Sequence, residues 1–141
     1  MEPLEWKPAL EVGVAEIDAD HRVLVELLNR MQAACGREDR DEAIAVLEEL
    51  ERYTHYHFSL EDRLMAECAY EFAAEHAREH RELFYEVKHQ IDDLLDGERT
   101  LGEVAQFMQR WLLRHIAGAD RLLAEAIVRW RAAKDAEAAG R

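Results

Sequence analysis

A chain of 141 residues, of which 49% are hydrophobic, suits one domain built around a single core. Its net charge of −13 argues against nucleic-acid partners and anionic membranes, because both attract basic surfaces. No apolar run approaches the length of a membrane span, and residues 1–20 lack the apolar core of a signal peptide. We therefore expect a cytoplasmic protein that does not insert into membranes, with Cys35 and Cys68 as reduced thiols.

The first part of the chain predicts an arm followed by a helix. Residues 1–18 contain scattered apolar side chains, and we expect this N-terminal arm to lie across the rest of the protein. Asp18 suits the N-cap of a first helix over roughly 19–36, which Gly36 ends. Ala, Leu, Glu and Arg, all strong helix formers, dominate the sequence and favour an all-α fold.

Three further helices follow with short connections. Apolar residues recur at helical spacing over about 40–67 and about 72–96, and a capping box predicts that a fourth helix begins at Thr100. The last ten residues, 132–141, are Ala-rich and charged, and we expect them to fray. This pattern predicts an up-down-up-down four-helix bundle that forms a single domain over residues 1–141.

The helix stripes that should face the core are interrupted by side chains that bind metals. His57/Glu61 and His76/His80 are pairs four residues apart, so both members of each pair project from one helix face. Burying such groups unpaired is costly, and either mutual hydrogen bonding or metal coordination would compensate. In an up-down bundle one end would collect seven of these residues: His21, His57, Glu61, His76, His80, His115 and Asp120.

Taken singly, each of these residues has an ordinary structural interpretation. A lone histidine on a helix face is more often a satisfied core residue than a ligand, and the two carboxylates could be solvated charges. His55 and His89 fall off the stripes, and we expect both at the surface. A site is favoured by convergence, since five of the seven histidines join two carboxylates at one level of the bundle.

The number and type of these side chains favour a particular metal chemistry. Five imidazoles and two carboxylates exceed the needs of one ion and suit two ions bridged by the carboxylates. Structural zinc prefers four ligands, and calcium and magnesium prefer oxygen, whereas a mixed histidine and carboxylate set suits iron. None of the five histidines follows a glutamate by three residues, as in carboxylate-rich di-iron bundles. A site rich in neutral ligands favours binding of dioxygen over cleavage of its O–O bond.

The fourth helix cannot be regular if both of its candidate ligands reach the same site. His115 and Asp120 are five residues apart, about 140° from each other on a regular helix. The apolar stripe shifts at the same place, being in phase with His115 before the site and with Asp120 after it. We therefore predict a π-bulge near Gly118.

With these motifs, the chain resembles the hemerythrins, specifically the single-domain bacteriohemerythrins, over about residues 6–125. The resemblance rests on four motifs: Ile-Asp-x-x-His ending at His21, His57-Phe58-x-x-Glu61, His76-x-x-x-His80 and Trp111-Leu112-x-x-His115-Ile116-x-x-x-Asp120. It implies that the chain reversibly binds dioxygen at a non-haem di-iron centre, as an oxygen carrier, store or delivery protein that is not an enzyme.

The resemblance also implies a role for each site residue. His76, His80 and His115 would bind one iron, and His21 and His57 the other. Glu61 and Asp120 would bridge the two ions, together with an oxo or hydroxo group. The iron with two histidines would keep a position open for dioxygen. A dioxygen pocket would be lined by Leu24, Phe58, Trp111, Leu112 and Ile116.

Two other functions stay open at this point: an oxygen-sensing module, and a di-iron scavenger of peroxide or nitric oxide. A sensor would be expected to carry an output domain, for which 141 residues leave no room. A scavenger would be expected to position an acid or base beyond the ligands, and no motif indicates one. We expect a monomer that binds dioxygen and passes it to a recipient of unknown identity.

Overall fold

The structure is a computed structural model that describes residues 3–140. Predictions that fall on residues 1, 2 and 141 lie outside the described residues. The described chain is helical and contains no strand. Its elements are a 3-10 turn at Pro8–Leu10, α1 at Ala15–Gly36, α2 at Arg40–Glu67, α3 at Ala73–Leu95, α4 at Leu101–His115, a π segment at Ile116–Asp120, and α5 at Arg121–Ala139.

These elements form the predicted four-helix bundle. The π segment joins α4 to α5 with helical backbone angles at both junctions, so the three pieces make one long fourth helix. The start of this helix has the predicted capping box, in which the Thr100 hydroxyl accepts from the Glu103 N–H and the Glu103 carboxylate accepts from the Thr100 N–H. Among the described residues, no helix is both long enough and apolar enough to span a membrane.

The predicted start of the first helix is wrong by four residues. α1 begins at Ala15, and Asp18 lies within its first turn instead of capping it. The Asp18 carboxylate accepts hydrogen bonds from the backbone N–H groups of Val12 and Gly13, at 2.8 and 3.2 Å. A carboxylate that bonds backwards to the preceding segment looks the same in sequence as one that caps the following helix.

The N-terminal arm lies against the bundle, as expected. The Asn29 side chain makes two hydrogen bonds to the backbone of Leu4, at 2.8 and 2.7 Å, and Arg22 lies 5.1 Å from the centre of the Trp6 ring. At the other terminus α5 continues as helix to Ala139, and residues 132–139 are all exposed. The fraying expected of residues 132–141 stays a prediction.

The core divides into two ends of different chemistry. The end formed by the close of α1, the start of α2, the close of α3 and the start of α4 is apolar, and we call it the apolar end. Its most buried residues include Leu28, Met31, Leu47, Leu94 and Val104. The opposite end, which we call the site end, contains the π segment and buries a cluster of polar side chains. The bundle therefore places the candidate site at one end of a continuous core.

Candidate metal centre

All seven predicted ligands meet at the site end, and none is more than 5% exposed. Each bundle helix contributes to the cluster: α1 provides one histidine, α2 a histidine and a glutamate, α3 two histidines, and the fourth helix a histidine and an aspartate. The residues are His21, His57, Glu61, His76, His80, His115 and Asp120. The off-stripe residues His55 and His89 are at the surface, which confirms the prediction for them.

The cluster consists of two groups that share both carboxylates. Within each group, one ligand-type atom from every residue lies within 4.8 Å of the others. The three-histidine group comprises His76, His80, His115, Glu61 and Asp120. The two-histidine group comprises His21, His57, Glu61 and Asp120. This division matches the one that the family resemblance implies.

Each shared carboxylate presents one oxygen to each group. Glu61 Oε1 lies 2.7 Å from His76 Nε2 and 2.9 Å from His80 Nε2, whereas its Oε2 lies 2.7 Å from His57 Nε2. Asp120 Oδ1 lies 2.8 Å from His115 Nε2, whereas its Oδ2 lies 2.7 Å from His21 Nε2. All five rings therefore direct Nε2 at the carboxylates. This is the arrangement expected of two carboxylates that bridge two ions.

The π segment brings Asp120 to the same face as His115. The segment covers Ile116–Asp120, so the irregularity predicted near Gly118 is confirmed. In a π turn, residues five apart come into phase, as residues four apart nearly do in an α-helix. The wider turn thus lets one helix supply a ligand to both groups.

Several buried atoms of the cluster lack hydrogen bonds. The Nε2 of His57, the Oε2 of Glu61 and the Oδ1 of Asp120 are fully buried and have no partner in hydrogen-bond orientation, although other polar atoms approach closely. In addition, His80 Nε2 faces His115 Nε2 at 3.3 Å, nitrogen to nitrogen. Buried polar atoms without partners are costly, so atoms that aim at common points fit bound cations. The donor set of imidazole and carboxylate fits iron.

The buried imidazoles and carboxylates of the cluster shift one another's pKa values. Burial works against a charged His57, but the carboxylates of Asp120, Asp20 and Glu61 outweigh it and raise the pKa of this ring to about 11. Burial likewise opposes the charge of Glu61, but the close approach of the His115, His57, His76 and His80 rings holds its pKa well below the usual range. A cation that binds His57 must therefore displace a proton from this ring.

Two carboxylates outside the predicted set support the ligand rings from behind. The Nδ1 of His57 lies 2.9 Å from Asp20 Oδ2, and the Nδ1 of His115 lies 3.2 Å from Glu79 Oε1. Metal-binding histidines commonly donate their second N–H to such a group. One feature of the sequence could have indicated these two carboxylates: Asp20 directly precedes His21, and Glu79 directly precedes His80. Each, however, contacts a histidine of a neighbouring helix.

The five predicted pocket residues divide between the ligand rings and an internal cavity. Phe58 stacks on His80 with ring centroids 3.6 Å apart, and Trp111 stacks on His115 at 4.7 Å. Ile116 is fully buried. A small internal cavity is lined by Leu24, Leu28, Leu50, Thr54, Met108, Trp111 and Leu112. Three of the predicted pocket residues thus line one apolar cavity, while Phe58 packs against ligand rings and Ile116 is buried in the π segment directly after His115.

Comparisons with known proteins agree with this geometry. The family model described as the hemerythrin HHE cation binding domain matches residues 12–127. A bacteriohemerythrin of Stenotrophomonas maltophilia is 33% identical over 88% of this chain and 81% of its own length. A bacteriohemerythrin of Pseudomonas aeruginosa is 32% identical over 90% of this chain and 83% of its own length.

A further bacteriohemerythrin and a solved structure are also similar to this chain. A bacteriohemerythrin of Clostridium acetobutylicum is 30% identical over 82% of this chain and 95% of its own length. A crystal structure described as that of a hemerythrin mutant has a TM-score of 0.81 at 23% identity, and covers 90% of this chain and 98% of that one. That likeness confirms the four-helix bundle.

Proposed function

The chain belongs to the hemerythrin family, and from that premise we propose that it binds dioxygen reversibly at a non-haem di-iron centre, as an oxygen carrier, store or delivery protein. The observation that carries the proposal is the pair of ligand groups that share Glu61 and Asp120 through separate oxygens. A single ion would leave one of these groups without a cation.

In this proposal the three-histidine group holds one iron and the two-histidine group holds the other. Glu61 and Asp120 would each offer one oxygen to either ion, and a solvent-derived oxo or hydroxo group would complete the centre. When bound, the two irons would supply the electrons that dioxygen takes up and returns. The two-histidine group has one ligand fewer, so it would leave room for dioxygen on that side.

The protein contributes a dry surrounding to this chemistry. Leu24 and Leu112 are buried and line the internal cavity, where they keep water and anions away from the cluster. The two carboxylates and a hydroxide offset most of the charge of two ferrous ions. Because dioxygen is neutral, its binding adds no net charge to this buried site. A carrier needs this property, since it must bind and release its ligand without solvent rearrangement.

The side chains of the pocket favour binding over catalysis. Leu24, Phe58, Leu112 and Ile116 carry no polar group, and the Thr54 hydroxyl in the cavity wall donates to the Leu50 carbonyl at 2.7 Å. A scavenger of peroxide or nitric oxide would benefit from such a group near the reacting atoms. We therefore propose a binding protein and not an enzyme.

The direct test is iron content together with the visible spectrum. We expect about two irons per chain, a colour that develops when the reduced protein meets oxygen, and bleaching under vacuum over repeated cycles. One zinc per chain, or a colour change that does not reverse, would contradict the proposal.

A pair of neighbouring variants tests the shared carboxylate. Glu61→Gln keeps the size of the side chain but removes the charge that both groups share, whereas Asp62 is exposed and belongs to neither group. Loss of an outer-sphere partner costs about 10–100-fold in metal affinity, so we expect Glu61→Gln to cost more than about 100-fold. Asp62→Asn should bind iron as the unmodified protein does. Two irons retained in Glu61→Gln would refute the shared site.

A further inference from the structure

Two hydrogen bonds link Tyr53 of α2 to Asp20 of α1 and Asp20 to His57 of α2. Asp20 thus contacts the side of the His57 ring that faces away from the two-histidine group. The Tyr53 hydroxyl donates to Asp20 Oδ1 at 2.9 Å, and the other oxygen of Asp20 lies 2.9 Å from His57 Nδ1. Tyr53 and His57 are one turn apart on α2, and Asp20 reaches both from α1. Asp20 is only 6% exposed. A buried carboxylate thus receives one hydrogen bond on each oxygen.

These hydrogen bonds determine which nitrogen of the His57 ring faces the cluster. Burial and the hydrogen bond to Asp20 raise the pKa of Tyr53, so the tyrosine stays protonated and donates. With one oxygen of Asp20 occupied by Tyr53, the other oxygen accepts from His57 Nδ1–H. The ring is thereby oriented with Nε2 towards the cluster, 2.7 Å from Glu61 Oε2, and this is the nitrogen left to bind a cation once the cation displaces its proton.

The three-histidine group has a weaker counterpart. Glu79 stands behind His115 at 3.2 Å, but its side chain is 44% exposed, whereas that of Asp20 is 9% exposed. Water screens the charge of Glu79, and the surrounding protein screens Asp20 much less. A desolvated carboxylate makes the imidazole that it contacts a stronger electron donor. The two groups therefore differ in the support that their rings receive.

We propose that Asp20 is a positioning residue that orients His57 and strengthens it as an iron ligand, and that Tyr53 moderates this effect by withdrawing charge from the carboxylate. The inference rests on the proposed iron site. A stronger donor favours ferric over ferrous iron. Asp20 therefore lowers the reduction potential of the centre, and Tyr53 raises it.

The test compares three variants in iron-loaded protein by redox titration of the visible spectrum. Asp20→Asn keeps an acceptor for His57 but loses the charge, so we expect its midpoint potential to shift upward. Tyr53→Phe leaves the charge of Asp20 unshared, so we expect a downward shift. Glu79→Gln is the matched control and should shift the potential upward by less than Asp20→Asn does. A loss of packing alone would not produce shifts of opposite sign.

A second measurement uses metal binding instead of redox behaviour. We expect Asp20→Asn to bind Co²⁺ about 10–100-fold more weakly than the unmodified protein, with a smaller loss for Tyr53→Phe. The opposite result is that the unmodified protein binds about two irons while Asp20→Asn and Tyr53→Phe leave the midpoint potential and the Co²⁺ affinity unchanged. That result would refute the role of Asp20 and leave the iron site standing. If the unmodified protein binds no iron, the proposed function fails, and the present inference fails with it.

Discussion

The two ends of the bundle are equally buried but chemically opposite. At the apolar end, Leu28 and Leu47 are at most 1% exposed, and at the site end so are His57 and Glu61. The same helical period therefore produces both ends, because period determines which side chains face inward and not what they are. The difference lies in what satisfies the buried groups: apolar contact at one end, and charge and coordination at the other.

This difference gives the two ends different sources of stability. Burial of apolar side chains stabilises the apolar end whether or not a ligand is present. The site end buries atoms such as His57 Nε2 and Asp120 Oδ1 that have no hydrogen-bond partner. Its stability should therefore depend on the cations that these atoms can bind.

Removal of metal should have the largest effect, and it should be confined to the site end. Cations at about 1,000 times their dissociation constant stabilise a folded protein by about 4 kcal/mol, so we expect a loss of that order with a chelator. Hydrogen exchange should speed up around residues 57–61 and 115–120, while residues 28–31 and 104–108 stay protected. Equal acceleration at both ends would show that the bundle does not divide in this way.

Truncating one leucine at each end should separate stability from chemistry. Leu112 lines the internal cavity and lies three residues before His115, and Leu47 lies in the apolar end. Both Leu112→Ala and Leu47→Ala should destabilise the protein by about 2–5 kcal/mol in urea denaturation, because each leaves a cavity. Only Leu112→Ala should also speed the autoxidation of oxygenated protein, since the smaller residue admits water and anions.

Iron content is the control for both leucine variants, and it should stay near two irons per chain in each. If Leu112→Ala keeps its iron and autoxidises no faster than Leu47→Ala, then Leu112 is a packing residue alone.

The clustering of the ligands at the site end could be predicted because it follows from helical period. The histidines and carboxylates replace apolar residues at inward positions, so their level and face follow from the sequence. The π segment was also predictable, since the apolar stripe changes phase between His115 and Asp120. The metal roles of these residues stay a prediction that the iron measurements will test.

The features missed by sequence depend on contacts between elements. Asp20 and Glu79 lie off the stripes, and each supports a histidine of another helix, so no pattern within one helix marks them. Asp18 was misassigned as a cap because its hydrogen bonds run to the preceding segment. In each case the residue type indicates a hydrogen-bonding role, but the sequence does not show which residue is the partner.

The smallest expected effect concerns the two glycines that stand at opposite ends. Gly97, between α3 and α4 at the apolar end, has φ +77°, a conformation that costs other residues about 1–2 kcal/mol. Gly118, in the π segment, does not have a positive φ, and a Cβ built there would meet no atom within 4 Å. The π segment is thus irregular without needing the freedom of glycine, which indicates that the inward placement of His115 and Asp120 maintains it.

Alanine at these two positions should therefore change stability in opposite directions. Gly97→Ala should destabilise the protein by about 1–2 kcal/mol. Gly118→Ala should stabilise it by about 0.4–1 kcal/mol, because the unfolded chain loses freedom that the folded state does not use. Thermal and urea denaturation would measure both changes, and iron content should be unaffected in either variant. A Gly118→Ala protein that loses iron would show that the π segment relies on glycine, and that the site end depends on its backbone as much as on its ligands.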